Sequence, residues 1–510
     1  MPKIDDKKFL LILIFLHLAI ALPLAYSVNI WADEASTLYT TQNGFVRAFQ
    51  NLFTDEKQAP LYFLLLSLWR KINDSVFFAR LFSVIFSLFS IVAFSRLAQR
   101  IWEEKTALFL TALFALHPYL VWASLEIRLY SLIIFITCLL FSFFYDGFLD
   151  DEIVFRSSGE GAKAQSRARN FYVLTAVAAL YTNYYLGFLL VGAFAALLVV
   201  RRFEQAKSYF LRMLIVGVAI LPLFYIISLQ FSDRVATFQA EKSLLEGARI
   251  LWNHFLTFAL PTEIYSPEES TAFSFLRLWI VRASMLASLI VLIKNKFKDL
   301  DKTSGAFGTI AAVCGAFFLF VYFQLGAMYV EIRHAAVYFV AIFVFVAALL
   351  VKILPRKTWI FAAVLYFVFF AYAIAAMYPN LTKRGDWARV AAFIAQNEKP
   401  GQPIVLMPAY DALALPFYYQ GANKILPDER YFSFFTEAEP GSVNAFRTQI
   451  EFVTSEIPPD AAEIWLLTDE NCAVGQASCE PLENFVAANY TIVLEKDFYK
   501  EKVRLLRRKR

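Results

Sequence analysis

Apolar residues in this chain fall in long unbroken windows, not in the alternation of a half-exposed strand or the one-sided stripe of a surface helix. A helix crossing a hydrocarbon layer about 30 Å thick needs about 20 such residues, because each adds 1.5 Å and lipid satisfies no loose backbone group. Nine windows meet that length: Phe9–Val28, Val76–Phe94, Thr106–Trp122, Tyr130–Phe148, Met213–Leu229, Phe273–Ile293, Gly305–Leu325, Ala335–Val351 and Thr358–Tyr378. A further stretch, Phe171–Val200, is long for one crossing and tight for two. Arg167 and Arg169 precede it and Arg201 and Arg202 follow it. The positive-inside rule puts both pairs on one side, so the stretch crosses twice and turns near Thr182-Asn183. The expectation is about eleven transmembrane helices.

The other basic clusters agree with that topology. Lys3/Lys7/Lys8, Arg96/Arg100/Lys105, Arg156/Lys163, Lys207/Arg212, Lys294/Lys296/Lys298/Lys302 and Lys352/Arg356/Lys357 fall on one face, which places the N-terminus in the cytoplasm and the C-terminus outside it, in a plasma or inner membrane. The first window is long for a signal-peptide core and has no clear small-x-small cleavage pattern before Trp31, so it reads as a span. Composition strengthens the picture. Of 510 residues, 59% are hydrophobic and 18% charged, against about 45–50% and 25% in soluble domains, and mean hydropathy is +0.54. A disordered chain and a disulfide scaffold are excluded. The net charge of +5 follows from topology and implies no nucleic-acid partner.

Three outer segments are large enough to build a site: Asn29–Ser75, Gln230–Thr271 and everything after Tyr378. The first holds Asp33-Glu34 just past the first span, then Gln58-Ala59-Pro60-Leu61-Tyr62 opening an apolar run too short to cross, which reads as an interfacial helix started at Pro60. Adjacent carboxylates at a membrane boundary suit a general base and an orienting group. They equally suit an Asp33 N-cap on a short helix Glu34–Thr41, and the two readings can coexist. Between the third and fourth spans lies Ser124-Leu125-Glu126-Ile127-Arg128-Leu129-Tyr130-Ser131. Two residues apart, Glu126 and Arg128 cannot share a helix face, so their partners lie elsewhere. Glu331-Ile332-Arg333-His334 sits where the ninth span meets the tenth; an Arg there can bind phosphate bidentately, or merely snorkel from a helix end. His17 and His117 read as packing residues. No zinc spacing, Walker loop or dinucleotide fingerprint is present.

Taken in order, Asp33-Glu34, Gln58-Ala59-Pro60-Leu61-Tyr62, Arg80-Leu81, Glu126-Ile127-Arg128-Leu129-Tyr130-Ser131, Tyr181-Thr182-Asn183-Tyr184 and Arg333 resemble the GT-C-fold glycosyltransferases, in particular bacterial relatives of the dolichyl-phosphate-mannose protein mannosyltransferases and of the lipid A aminoarabinose transferase. The resemblance runs from about Phe9 to Tyr378. It implies an inverting transfer of sugar from a polyprenyl-phosphate donor to an extracytoplasmic acceptor, whether lipid, envelope glycan or protein. Asp33 and Glu34 match the catalytic carboxylates, Arg128 and Tyr130 an Arg-x-Tyr motif, and Arg333 the arginine that contacts the lipid phosphate. Tyr62, Glu126 and Tyr184 fall where substrate would be positioned. One departure stands out: many relatives carry His-Pro-Pro or Lys-Pro-Pro where this chain has Gln58-Ala59-Pro60, and Lys57 is the substitute for the missing cation. No metal or other cofactor is implied. A lipid-linked-glycan flippase would instead place polar groups at mid-membrane, and a glycan-binding protein would need no base.

After Tyr378 the texture alternates. A helix from Arg384 to Asn397, a strand at Pro403–Met407, a helix at Asp411–Gln420, strands at Glu463–Thr468 and Thr491–Glu495 and a helix near Leu482–Asn489 predict a soluble α/β domain over 379–510. Cys472 and Cys479 lie in it, seven apart, whereas Cys138 and Cys314 fall in spans. A Cys472–Cys479 disulfide fits an oxidising compartment, with two free thiols the alternative.

Overall fold

The computed structural model describes residues 6–56, 58–150, 159–231, 243–261, 275–283, 286, 290, 302–353, 359–378, 381–383, 385–408, 413–427, 450–469, 472 and 479–509. Lys57 and about half of the window Phe273–Ile293 lie outside them.

Four described helices are long and apolar enough to cross a membrane, and two bent pairs raise the number to six. The long helices are α1 (Asp6–Ser27), α5 (Val76–Ile101), α8 (Tyr130–Phe144, continued by a π turn to Leu149) and α14 (Lys302–Leu325). The bent pairs are α6 (Glu104–Ala115) with α7 (Pro118–Ser124), at 50°, and α11 (Phe203–Ala219) with α12 (Leu221–Phe231), at 58°. His117 caps the second half of the first pair by accepting from the Tyr119 N–H, and Pro118 stands at its first helical position. The long stretch after Arg169 forms two helices, α9 (Gly159–Thr182) and α10 (Leu186–Val199), broken at 183–185 where the turn was expected. α13 (Leu244–Ala259), inside the second outer segment, α15 (Ala336–Ile353) and α16 (Trp359–Ala376) complete the helical part, and α13 packs on α14 and α15.

Between α1 and α5 the first outer segment folds as α2 (Ala32–Thr41), α3 (Phe45–Asn51), a π turn (Leu52–Glu56) and α4 (Leu61–Arg70), which starts after Pro60. Asp33 is not the N-cap of α2. That helix begins two residues earlier than expected, at Ala32 with Trp31 as its cap residue, which leaves Asp33 and Glu34 in the first turn, where carboxylates complement the helix dipole. The far end of α2 is held by Arg70, which donates to the Leu38 carbonyl and, at 2.6 Å, to the Thr41 hydroxyl.

Outward faces carry Leu11, Ile12 and Phe15 on α1 and Leu211, Leu214, Ile215 and Val218 on α11, all exposed; a belt of that kind is stable only against hydrocarbon. This is an integral membrane protein. Where helices meet, small residues set the spacing: a Cβ on Gly192 of α10 would lie 3.2 Å from the Ile310 Cα of α14. His17 is buried between spans and bonds the Ala115 carbonyl at 2.8 Å and the Ser87 hydroxyl at 2.9 Å.

The C-terminal part holds α17 (Trp387–Asn397), β1 (Ile404–Met407), β2 (Ile425–Leu426), β3 (Glu463–Asp469), α18 (Glu480–Asn489), β4 (Tyr490–Phe498) and β5 (Glu501–Arg508), the strands forming one sheet in the order β2-β1-β3-β5-β4. β1 runs parallel to β2 and β3, while β5 is antiparallel to both β3 and β4. β5, which carries Arg504, Arg507 and Arg508, is therefore an interior strand. Val503 and Leu506 are buried in it, and Arg504 pairs with Glu483 at 2.8 Å through both guanidinium nitrogens. The helix expected at Asp411–Gln420 is reduced, among the described residues, to a single 3-10 turn at Leu415–Phe417, with Pro416 inside it. Cys472 and Cys479 are joined by a disulfide.

Candidate functional site

One end of the helical part gathers the charged residues that the sequence scatters over 350 positions. The assembly starts with Arg80 on α5, which is 1% exposed and donates to the carbonyls of Ala25 (3.0 Å), Val28 (2.5 Å) and Asn29 (3.2 Å). A guanidinium at the end of α1 satisfies carbonyls that no further helical turn reaches and sits at the negative end of the dipole. It fixes where the chain leaves the first span, and therefore where α2 begins.

On α2, Asp33 and Glu34 point about 100° apart, as neighbours on a helix must. Glu34 turns inward and is fully buried. Its Oε2 lies 2.7 Å from Lys383 Nζ and 3.4 Å from Arg80, and its Oε1 accepts from the Ile127 N–H at 2.9 Å. Burial alone would raise its pKa, but Lys383 and then Arg80 outweigh it and hold the carboxyl below its ordinary value. Lys383 also meets Glu126 Oε1 at 2.9 Å and donates to the Leu125 carbonyl at 2.9 Å. Glu126 is in turn bonded by the Trp31 indole N–H at 2.8 Å. Burial pushes the Glu126 carboxyl up against the pull of Lys383, with the Glu34 charge adding to the rise, and burial likewise lowers the Lys383 ammonium. Two cations and two carboxylates thus balance within one dry cluster, the arrangement that makes a buried charge tolerable.

Asp33 turns the other way. Its side chain keeps 31% of its exposure, against 0% for Glu34, 2% for Glu126 and 3% for Glu56, and its Oδ2 is ion-paired with Arg333 Nη1. Arg333 also meets Glu331 Oε2 at 2.9 Å and lies over the Trp31 ring, 5.3 Å from its centroid. The segment that carries Arg333 is pinned by Tyr119, whose hydroxyl donates to the Ile332 carbonyl at 2.9 Å, and by Tyr185, whose hydroxyl donates to the Tyr329 carbonyl at 3.2 Å. His334 beside it is held well down, to a pKa of about 3, by burial and then by the Arg333 charge.

Arg128 does not snorkel. It is 6% exposed, and its Nη1 donates to Glu56 at 3.0 and 3.1 Å, to the Thr37 hydroxyl at 2.7 Å and to the Asp33 carbonyl oxygen at 3.3 Å. Glu56, in the π turn, also accepts from Ser36 at 3.1 Å and Thr37 at 3.3 Å. Burial raises its pKa against the pull of Arg128, and the neighbouring Asp33 charge adds to the rise. Tyr62 is buried near Arg128, and Tyr130 stacks on Trp122 at 4.9 Å.

The structure thus brings Asp33, Glu34, Glu126, Arg128 and Arg333 into one site, with Tyr62 and Tyr130 packed beside it. Tyr184 is elsewhere: its hydroxyl donates to Gln230 at 3.0 Å, and Gln230 donates to the Leu52 and Gln58 carbonyls at 3.1 Å each. It therefore braces the far side of the first outer segment. Lys57 lies outside the described residues. Sequence reasoning missed Arg80 as an anchor, Glu56 as the partner of Arg128, and above all Lys383. The last lies past the final span, where nothing local marks it as a partner of residues some 350 and 260 positions earlier.

No family model matches the chain, and no curated protein matches it. Solved structures do. The chain is similar to the crystal structure of ArnT from Cupriavidus metallidurans in the apo state, at 13% identity over 98% of each chain with a TM-score of 0.49. It is similar to the same protein bound to undecaprenyl phosphate, at 14% identity over 98% of each chain with a TM-score of 0.45. It is also similar to the archaeal oligosaccharyltransferase AglB from Archaeoglobus fulgidus in complex with an inhibitory peptide and a dolichol-phosphate, at 11% identity over 92% of this chain and 69% of that one, with a TM-score of 0.46. These are likenesses in the course of the chain.

Proposed function

We propose that the protein is an inverting glycosyltransferase of the GT-C type, which moves a sugar from a polyprenyl-phosphate donor to an acceptor hydroxyl at the outer membrane boundary. The observation that carries the reading is the division of labour among five clustered carboxylates. Glu34, Glu56 and Glu126 are buried and charge-balanced, whereas Asp33 and Glu331 are reachable and tethered to Arg333, and of these two Asp33 is the one on α2 beside the buried cluster. A site built only for stability has no use for that arrangement, whereas a base must reach its proton.

In this mechanism Asp33 takes the acceptor hydroxyl's proton as its oxygen attacks the anomeric carbon, the bond from that carbon to the phosphate oxygen breaks, and configuration inverts in the single displacement. The departing phosphate needs charge stabilisation more than an acid, and Arg333, with Arg128 behind it, supplies that. The reaction as written uses neither nucleotide nor metal. Glu34, which the motif order pairs with Asp33 as catalytic, becomes a positioning residue because it is sealed under Lys383 and Arg80. The N-terminus is cytoplasmic on this reading, and the site and α/β domain lie outside. Buried charge among the described residues of the helical part gathers at this one end and not at mid-membrane, which favours an enzyme over a transporter.

The test is transfer of label from a small panel of radiolabelled polyprenyl-phosphate sugars by the protein in proteoliposomes. Wild type should transfer from one of them, and Asp33→Asn should lose about 10²–10⁴-fold in rate while melting as wild type does. Full activity in Asp33→Asn would remove Asp33 as the base. Binding of donor with no transfer from any would favour a glycan-binding protein, and passage of donor across the vesicle wall a flippase.

A further inference from the structure

At the opposite end of the helical part, α5 and α8 run side by side and leave a groove of about 790 Å³ between them. Its lining changes character in step along both helices. On α5 the order is Phe89, Val92 and Ala93, Arg96, then Gln99 and Arg100; on α8 it is Phe135, Leu139, Ser142 and Phe143, then Asp146. These spacings of three and four keep each set on one helical face, over about 16 Å. Phe135 closes the apolar end, its ring 5.7 Å from both Phe86 and Phe89. The polar end is cationic. Arg96 is exposed and has no ion-pair partner among the described residues, and Arg100 is 55% exposed and only loosely paired with Asp146, at 3.8 Å. Gln99 is occupied by Asp6 at 3.4 Å. Two arginines thus share the mouth with two carboxylates, Asp146 beside Arg100 and Asp6 on Gln99, and Arg96 is the one without an ion-pair partner among the described residues.

We propose that this groove is a binding site for one anionic phospholipid, with an acyl chain along Phe89, Leu139 and Phe135 and a singly charged phosphodiester headgroup at Arg96 and Arg100. The gradient from apolar to arginine-lined matches a lipid lying parallel to the helices, and Arg96, with no ion-pair partner among the described residues, offers a counter-charge to one phosphate. Basic pockets between spans are suited to anionic headgroups. The arginine end of the groove lies about 30 Å along α5 from the charged cluster and its apolar end at Phe89 about 14 Å, since Arg80 and Arg100 are twenty residues apart on that helix and Arg80 and Phe89 nine. Its headgroup end is therefore distinct from any donor phosphate site at the other end.

Native mass spectrometry of the full chain, delipidated in detergent and supplied with either phosphatidylglycerol or phosphatidylethanolamine, tests the proposal. Wild type should retain one phosphatidylglycerol in preference to phosphatidylethanolamine. Arg96→Ala with Arg100→Ala should weaken that retention by about tenfold or more, whereas Lys105→Ala with Lys207→Ala, at the same end but away from the groove, should not. Val92→Trp keeps both arginines and fills the groove, and should abolish retention even if the arginine variant fails to fold. Equal retention of the two lipids by wild type, or unchanged phosphatidylglycerol retention in Val92→Trp, would overturn it.

Discussion

Lys383→Met removes the ammonium that Glu34 and Glu126 share and leaves an apolar side chain of similar length. Contacts of 2.7 and 2.9 Å correspond to roughly 6 kcal/mol of attraction each at an effective dielectric of about 20, set against the cost of keeping three ions dry. The two carboxylates do not suffer equally. Glu34 retains Arg80 and the Ile127 N–H, whereas Glu126 retains the Trp31 indole alone. Stripping one partner from a buried pair costs about 3–5 kcal/mol, and here most of it falls on Glu126. The pH dependence has a definite sign. Burial already raises the Glu126 pKa, and without Lys383 its main opposition is gone and the Trp31 hydrogen bond is left to resist the rise, so its contribution is intact below the unfolded value of about 4.3 and lost as pH climbs through the folded value. In wild type the lowered pKa of Glu34 acts in the opposite sense, its contribution present above the unfolded value and lost as pH falls through the folded one. The Glu126 effect shrinks the difference between the two proteins from pH 7.5 to pH 5, and the Glu34 effect adds to that only below about pH 4.3. Thermal midpoints by tryptophan fluorescence, at pH 5 and pH 7.5, should therefore show a large deficit for Lys383→Met at pH 7.5 and a smaller one at pH 5. Adding Glu126→Gln should recover part of the loss, a coupling that a double-mutant cycle isolates. A Lys383→Met midpoint equal to wild type at pH 7.5, or a double variant no better than the single, would refute the reasoning.

Glu56→Leu should destabilise by about 3–5 kcal/mol, because it leaves Arg128 buried without a counter-charge, while Glu56→Gln, which can still accept from Arg128, should cost about 1–3 kcal/mol; midpoints of the two variants decide. Gly192→Leu should lower the midpoint by the equivalent of about 1–3 kcal/mol, since its Cβ meets the α14 backbone, whereas Gly217→Leu, with nothing within 4 Å of its Cβ, should not. Of the 4 cysteines, denatured protein should take two maleimide labels before reduction and four after it. Replacing Cys472 and Cys479 by Ser should cost about 2–2.5 kcal/mol for the short loop they close, read as earlier protease cleavage within the α/β domain.

The membrane character of the protein, the break at 183–185, the start of α4 after Pro60 and three of the strands of the α/β domain were all written locally. Hydrophobic window length, a proline and a run of β-branched residues need no distant partner to act. So was the gathering of Asp33, Glu126, Arg128 and Arg333 at one end, because each lies at the same end of a span and the spans cross in alternation. β5 went unpredicted because its alternation of Val503, Leu505 and Leu506 with Lys502, Arg504 and Arg507 is a strand pattern disguised by charge, and Glu483 and Glu463, which neutralise it, are remote in sequence. What only the tertiary structure decided is which member of Asp33-Glu34 faces outward. Adjacent residues on a helix differ by a fixed rotation, so the pair must split, but its phase depends on where α2 starts. Arg80 sets that start by binding the end of α1, and Lys383 then gives the inward carboxylate its charge partner. Neither contact has a local signature, because a buried ion pair is defined by where its two halves meet and not by the residues on either side of them.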